Sequence, residues 1–137
     1  MAYLLDTGFF YALLNRNESQ HARVVTASRY VHGTIYLPTP VIAEVAYLIL
    51  RDLGSNALAD FVDSLADTKF VLVEPTSVDF SRAATIIRQY RDTNIDFADA
   101  IIVAIAERLG ISQVLTLDQR HFRFFRPRHC IAFDLLP

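Results

Sequence analysis

Hydrophobic residues along this chain recur in two rhythms: short unbroken runs, and longer stretches in which they return every third or fourth position. The first rhythm predicts buried strands, the second helices that lay one face on a core. Strands are predicted at Ala2–Leu5, at Ile35–Leu37 closed by Pro-Thr-Pro, within KFVLVEP (69–75), at Gln113–Leu117 and at Cys130–Phe133. Between them one helical stretch runs to Leu14 and another spans Ser19–Val31. VIAEVAYLILRDL forms a third helix, with Thr39 as N-cap, Pro40 as first helical residue and Gly54 as its stop. SNALADFVDSLAD is amphipathic, with Leu58, Phe61, Val62 and Leu65 at helical spacing, and TSVDFSRAATIIRQYRD follows with Thr76 or Ser77 as cap. NIDFADAIIVAIAERLG makes a last helix, capped by Asp96 and ended by Gly110. Strands separated by helices predict an α/β fold with a mainly parallel central sheet of about five strands and helices on both faces. No repeat, low-complexity tract or linker interrupts the pattern, so a single domain over residues 1–137 is expected.

Acidic residues stand out against this background because of where they fall. Asp6 ends the first strand and Asp118 follows the fourth, which places both at the carboxyl edge of the sheet, where sites in such folds form. A single aspartate there commonly starts a turn or caps the next helix, and Asp96 and Asp99 at a helix start both favour its positive end. Glu44 resists that account, since its neighbours from Val41 to Leu50 are all apolar. A helix apolar all round is buried, and an unpaired buried carboxylate costs several kcal/mol, so a cation is expected beside it. An arginine would make a structural ion pair; a metal ion shared with the other acids would make a site. Asp99, among Ala98, Ala100 and Ile101, poses the same question. Oxygen-only ligands suit a hard divalent cation, Mg²⁺ or Mn²⁺, rather than zinc. The four histidines show no metal-ligand spacing with one another, and no Ser-His or Cys-His arrangement points to a covalent nucleophile.

LLDTGFFYALL, the lone Glu44 in its apolar helix, DFADAIIVAIAERLG and VLTLDQRHF, in that order, resemble the four acidic motifs of the PIN-domain family. Chain length and motif order are similar to its VapC-type toxin branch, and the resemblance covers essentially the whole chain. It implies a three-layer fold of helices around a parallel sheet. It further implies a Mg²⁺- or Mn²⁺-dependent endoribonuclease, the toxin of a type II toxin–antitoxin pair, whose hydrolysis leaves a 5′-phosphate and a 3′-hydroxyl. Carried over by position, Asp6, Glu44, Asp99 and Asp118 would be the catalytic, metal-binding acids, with Thr7 and Thr116 beside them; Asp96 is an extra acid near the site to which the motif gives no role. A homodimer and a cognate antitoxin laid over the acidic pocket are the implied partners. Gly8 stands where the family often has a small polar residue.

Composition adjusts this picture in a few places. Apolar residues make up 53% of the 137, a high share that fits a surface covered by a second chain. No apolar run is long enough for a membrane span, and MAYLLDTGFFYALL lacks a basic leader and carries Asp6, so no signal peptide is expected. Cys130 is the only cysteine, which excludes an internal disulfide and fits a cytoplasmic setting. Net charge is −2, but of the 13 basic residues only Lys69 is not arginine. Arginine favours bidentate phosphate contacts. In DQRHFRFFRPRHC, Arg120, Arg123, Arg126 and Arg128 alternate with His121, Phe122, Phe124, Phe125 and His129, a composition suited to single-stranded RNA through phosphate contacts and base stacking. The plainer reading makes the phenylalanines core and the arginines solvated; Arg88 and Arg91 are weaker candidates of the same kind. A haloacid-dehalogenase-like phosphatase wants a second aspartate where Gly8 stands, and a response-regulator receiver wants an acidic pair and a late lysine that are missing. The remaining alternative is a PIN-fold module that binds RNA or protein without cutting.

Overall fold

The computed structural model describes residues 1–137 and carries the expected alternation of strands and helices. In chain order the elements are β1 (Ala2–Leu5), α1 (Thr7–Leu14), α2 (His21–Ser28), β2 (Thr34–Pro38), α3 (Thr39–Leu53), α4 (Ser55–Leu65), β3 (Val71–Val73), α5 (Ser77–Gln89), a 3-10 turn (Arg91–Thr93), α6 (Phe97–Leu109), β4 (Gln113–Leu115), α7 (Gln119–Phe124) and β5 (Asp134–Leu136). The strands lie in the order β3-β2-β1-β4-β5, and every neighbouring pair is parallel.

Parallel strands need helical crossovers, and these are right-handed almost without exception. From β1 the chain steps outward to β2 and β3 with α1 to α4 as crossovers, then returns past β1 to β4 with α5 and α6. A reversal of direction with constant handedness puts the two helix sets on opposite faces. The packing agrees: α1 touches α2 and α3, α3 touches α4, and α5 packs on α6. Tyr3, Leu4 and Leu5 of the central strand are therefore covered on both sides. The return also makes the β1–β4 junction the switch point of the sheet, where a crevice opens beyond the strand ends.

α6 forms the spine of the second layer. Ala98 to Ala106 are buried without a break, the small alanines letting helix and sheet approach closely. Its ends are written locally: Asp96 caps the start, and Gly110 stops it in the left-handed conformation at φ 69°. Gly33 is equally required, since a Cβ there would sit 2.0 Å from the Met1 carbonyl oxygen as the chain enters β2.

Several local expectations need correction. α3 starts one residue earlier than predicted, with Pro38 at the N-cap position and Thr39 and Pro40 inside the first turn; no side chain caps it. It is also not buried all round, because Ala43, Tyr47 and Leu50 face outward. α2 is shorter than Ser19–Val31, and β3 and β4 are trimmed to the three residues each that pair with neighbours. The last strand is Asp134–Leu136, not Cys130–Phe133: the ladder to β4 begins only where the Asp134 N–H reaches the Ser112 carbonyl at 2.8 Å. α7 was not foreseen as an element; six residues among arginines carry too little periodicity to show.

Candidate active site

Register decides the first contact of the site. Leu5 pairs with Leu115, so the residues that follow, Asp6 and Thr116, emerge side by side at the strand ends. The Thr116 hydroxyl donates to Asp6 Oδ2 at 2.7 Å, and the Thr7 N–H donates to Oδ1 at 2.8 Å as Asp6 caps α1. The same Thr116 oxygen accepts the Asp118 N–H at 2.9 Å, so one hydroxyl joins the two acidic strand ends. From α3, Glu44 reaches in and takes the Thr7 hydroxyl at 2.9 Å on Oε1. From α6, Asp96 and Asp99 cap reciprocally: the Asp99 N–H donates to Asp96 Oδ1 at 2.9 Å and the Asp96 N–H to Asp99 Oδ2 at 3.3 Å.

These residues wall one cavity of about 500 Å³, lined by Asp6, Thr7, Gly8, Glu44, Asp96, Asp99, Leu117 and Asp118. All four acids of the expected quartet are there, with Asp96 as a fifth, and no arginine or lysine lines it. The arginine weighed as a partner for Glu44 is not found; its partner is a threonine hydroxyl. An added Cβ on Gly8 would meet Leu117 at an ordinary 3.8 Å, so a small polar side chain would fit, and its hydrogen bond is what glycine forgoes.

Crowded carboxylates without a counter-charge hold their protons. Asp6 is pushed up to about 6, mainly by burial and then by the charges of Asp118 and Asp96, against the hydrogen bonds from Thr116 and Thr7. Asp99 is pushed up to about 8 by burial, then by Asp96 and Asp6. Glu44 is raised by burial and by Asp96, with the Thr7 hydroxyl opposing.

One neighbour was expected from sequence only as part of the arginine-rich stretch. His121, on α7, donates its backbone N–H to Asp118 Oδ1 at 3.2 Å and places its ring Nδ1 2.8 Å from Asp118 Oδ2 and 3.7 Å from Asp99 Oδ2. A search for histidines spaced against one another passes over it, because its partners are acids on two other elements. The only available signal was Asp118-x-x-His121 read as one helical turn.

The arginine stretch divides. Phe122 and Phe125 are fully buried, as the plainer reading had it, while Phe124 is half-exposed. Arg120, Arg123, Arg126 and Arg128 are all exposed and none lines the acidic cavity. Arg123 is tied to Gln119, and the Arg126 guanidinium to the carbonyls of Arg123 and Phe125.

An all-parallel α/β fold that gathers five carboxylates at the switch point of its sheet has the oxygen donors that suit a hard divalent cation. The PIN domain family matches residues 3–126, and the chain belongs to it. It is 30% identical over 134 residues to Ribonuclease VapC26 of Mycobacterium tuberculosis, covering 98% of this chain and 99% of that one. The fold is similar to that of the Mycobacterium tuberculosis VapC20, described as a sarcin-ricin loop cleaving toxin, with a TM-score of 0.76 at 20% identity over 82% of this chain and 86% of that one. It is similar as well to VapBC2 from Rickettsia felis bound to a promoter DNA fragment, with a TM-score of 0.70 at 14% identity over the full length of both chains. No helix of the chain is long and apolar enough to cross a membrane.

Proposed function

We propose that this chain is a Mg²⁺- or Mn²⁺-dependent endoribonuclease, the toxin of a type II toxin–antitoxin pair, with Asp6, Glu44, Asp99 and Asp118 as its catalytic acids. The observation that carries this reading is the cavity itself: five carboxylates converge on it with no arginine or lysine among its walls. The oxygen donors fit a hard divalent ion, and the raised Asp6 and Asp99 carboxyls mark the place where positive charge is wanting. When bound, such an ion supplies charge neutralisation for the phosphodiester and a lowered pKa for a water beside it.

The protein's own part is orientation. Thr116 and Thr7 each donate to one oxygen of Asp6 and so fix the carboxylate plane. The capping pair sets Asp99 on the first turn of α6, and its rigid alanine-rich stem keeps it there. Thr7 takes only Oε1 of Glu44, so Oε2 is open to accept a proton from the attacking water. Arg120 and Arg123 on α7 then bring RNA phosphates toward the strand ends. In-line attack by water on phosphorus breaks the P–O3′ bond, and the departing oxygen takes a proton from solvent, leaving a 5′-phosphate and a 3′-hydroxyl.

Partners fit the surface. Tyr47, Leu50, Leu53 and Val62 are exposed along α3 and α4, and Val78, Phe80 and Phe97 along α5 and α6. A second copy and a cognate antitoxin would cover these side chains, the antitoxin also placing a basic side chain among the acids. RNA cleavage by the purified chain with Mg²⁺ or Mn²⁺, and its arrest by EDTA, tests the enzymatic reading. Robust cutting in EDTA would overturn the metal mechanism, and binding of RNA without any cutting would leave a non-enzymatic module.

A further inference from the structure

His121 lies within the fourth acidic motif, VLTLDQRHF, without being its acid, and it makes the most complete set of contacts to Asp118. Both oxygens of that carboxylate are held by this one residue, Oδ1 by the backbone N–H and Oδ2 by ring Nδ1. Asp118 needs such a hold, because its side chain is 42% exposed, against 9% for Asp99. A half-exposed carboxylate with one free oxygen turns about its own bonds; two donors in fixed relation stop it. The donors are themselves fixed. His121 is followed by Phe122, which is fully buried and packs edge-on against Phe125 at 5.4 Å and Phe133 at 6.0 Å between ring centroids. α7 is thus pinned by the core through Phe122 and holds His121 against Asp118 at the edge of the cavity. Ligand atoms of Asp99, Asp118 and His121 all lie within 4.8 Å of one another.

We propose that His121 is a positioning residue of the acidic site, its Nδ1–H turning Asp118 toward Asp99 so that the two carboxylates present a preformed oxygen pair to a divalent cation. This rests on the cavity being a cation site, as in the proposed nuclease function. The aromatic pins explain why the histidine is followed by phenylalanine: a loose α7 would let the imidazole swing away. Partners that hold a liganding carboxylate typically matter about 10–100-fold in metal affinity.

Mn²⁺ is the probe, titrated without RNA into wild type, His121→Ala and His121→Asn while the free-ion paramagnetic resonance signal is followed, with thermal melts confirming that each variant is folded. The amide nitrogen of asparagine falls near the place of Nδ1, so the hydrogen bond survives that change and not the change to alanine. The expected result is a loss of affinity of about tenfold in His121→Ala and little loss in His121→Asn. Pulsed resonance on ¹⁵N-histidine-labelled wild type should show no nitrogen directly bound to Mn²⁺. Unchanged affinity in His121→Ala, equal losses in both variants, or a directly coordinated nitrogen would each overturn the positioning role. Failure of the nuclease reading looks different: His121-dependent Mn²⁺ binding by a protein that cuts no RNA keeps the positioning role and removes the enzyme.

Discussion

α6 has a cluster of ionisable groups at each end, and they are opposites. At its start lies the acidic cavity. Toward its far end, eight residues or roughly 12 Å along the axis from Asp99 to Glu107, a second cavity of about 300 Å³ is lined by Val78, Asp79, Arg82, Ala104, Glu107, Arg108, Arg128 and His129. Asp79 is as buried as Asp6, at 1% exposure against 6%. Yet Arg108 reaches Asp79 at 2.9 Å and Arg82 clasps Glu107 at 2.7 and 3.0 Å. Burial pushes the Asp79 carboxyl up, but the Arg108 hydrogen bonds and charge, with the Thr76 N–H, outweigh it and hold it below its ordinary value. Glu107 is likewise lowered against its burial by Arg82 and the Arg128 N–H. The lesson is that burial of a carboxylate does not mark a site. What marks it is burial with the counter-charge withheld.

The sharpest way to break that comparison is to neutralise one acid at each end. Asp6→Asn should reduce RNA cleavage to background with the melting temperature unchanged or raised, since it removes repulsion. Asp79→Asn should leave cleavage in place and cost about 1–2 kcal/mol, because the buried amide loses the charge-assisted bonds from Arg108. Parallel melts and cleavage rates decide; a fully active Asp6→Asn would remove the distinction.

Next in size is the pH dependence of stability without metal. At the acidic cavity the folded carboxyls lie above their unfolded values, so the folded state binds more protons. Stability should fall as pH rises from about 4 toward 6 for Asp6 and on toward 8 for Asp99. The loss from Asp6 alone is on the order of 2–3 kcal/mol at about 1.4 kcal/mol per pH unit. At the other end the sign reverses: the lowered Asp79 and Glu107 stabilise above their unfolded values and lose that contribution as pH drops below about 4. Melts in EDTA from pH 3 to 8 should therefore pass through a maximum, and Mg²⁺ should flatten the high-pH limb only. A stability that keeps rising from pH 5 to 8 would contradict this.

Within the cavity, the capping pair should separate. Asp96→Ala should cost about 1 kcal/mol, the usual size of a lost N-cap, and leave cleavage reduced but measurable. Asp99→Asn keeps an oxygen for the Asp96 N–H, so it should melt normally while cleavage is lost. Were Asp96→Ala inactive and stable while Asp99→Asn cut normally, the two roles would be exchanged.

The smallest effect is expected at the surface. Removing Arg120 and Arg123 together should leave stability within about 0.5 kcal/mol and weaken RNA binding several-fold, with a shallower salt dependence. Fluorescence binding titrations at two salt concentrations measure it, and an unchanged salt slope would take these arginines out of the RNA path.

The sequence by itself determined the fold class, the acids and the spine of the molecule. Asp96, the alternating apolar positions and Gly110 mark α6 because capping, helical periodicity and the left-handed stop are local properties of adjacent residues. Asp6 and Asp118 were legible as strand-end acids for the same reason. Only the tertiary structure decided which charges are neutralised, since that depends on through-space neighbours. Asp99 stands out locally among its apolar neighbours in FADAIIV, but only the fold shows that Asp79, in VDFSRAA, is also buried and is reached by Arg108, while no arginine or lysine lines the cavity of Asp99. Likewise the Leu5–Leu115 register, not any motif, sets Thr116 against Asp6, and the packing of Phe122 and Phe125 turns an arginine-rich stretch into the helix that holds His121 beside Asp118. Strand register and core packing are cooperative, long-range choices, made by the whole buried surface at once and therefore written in no single stretch of the chain.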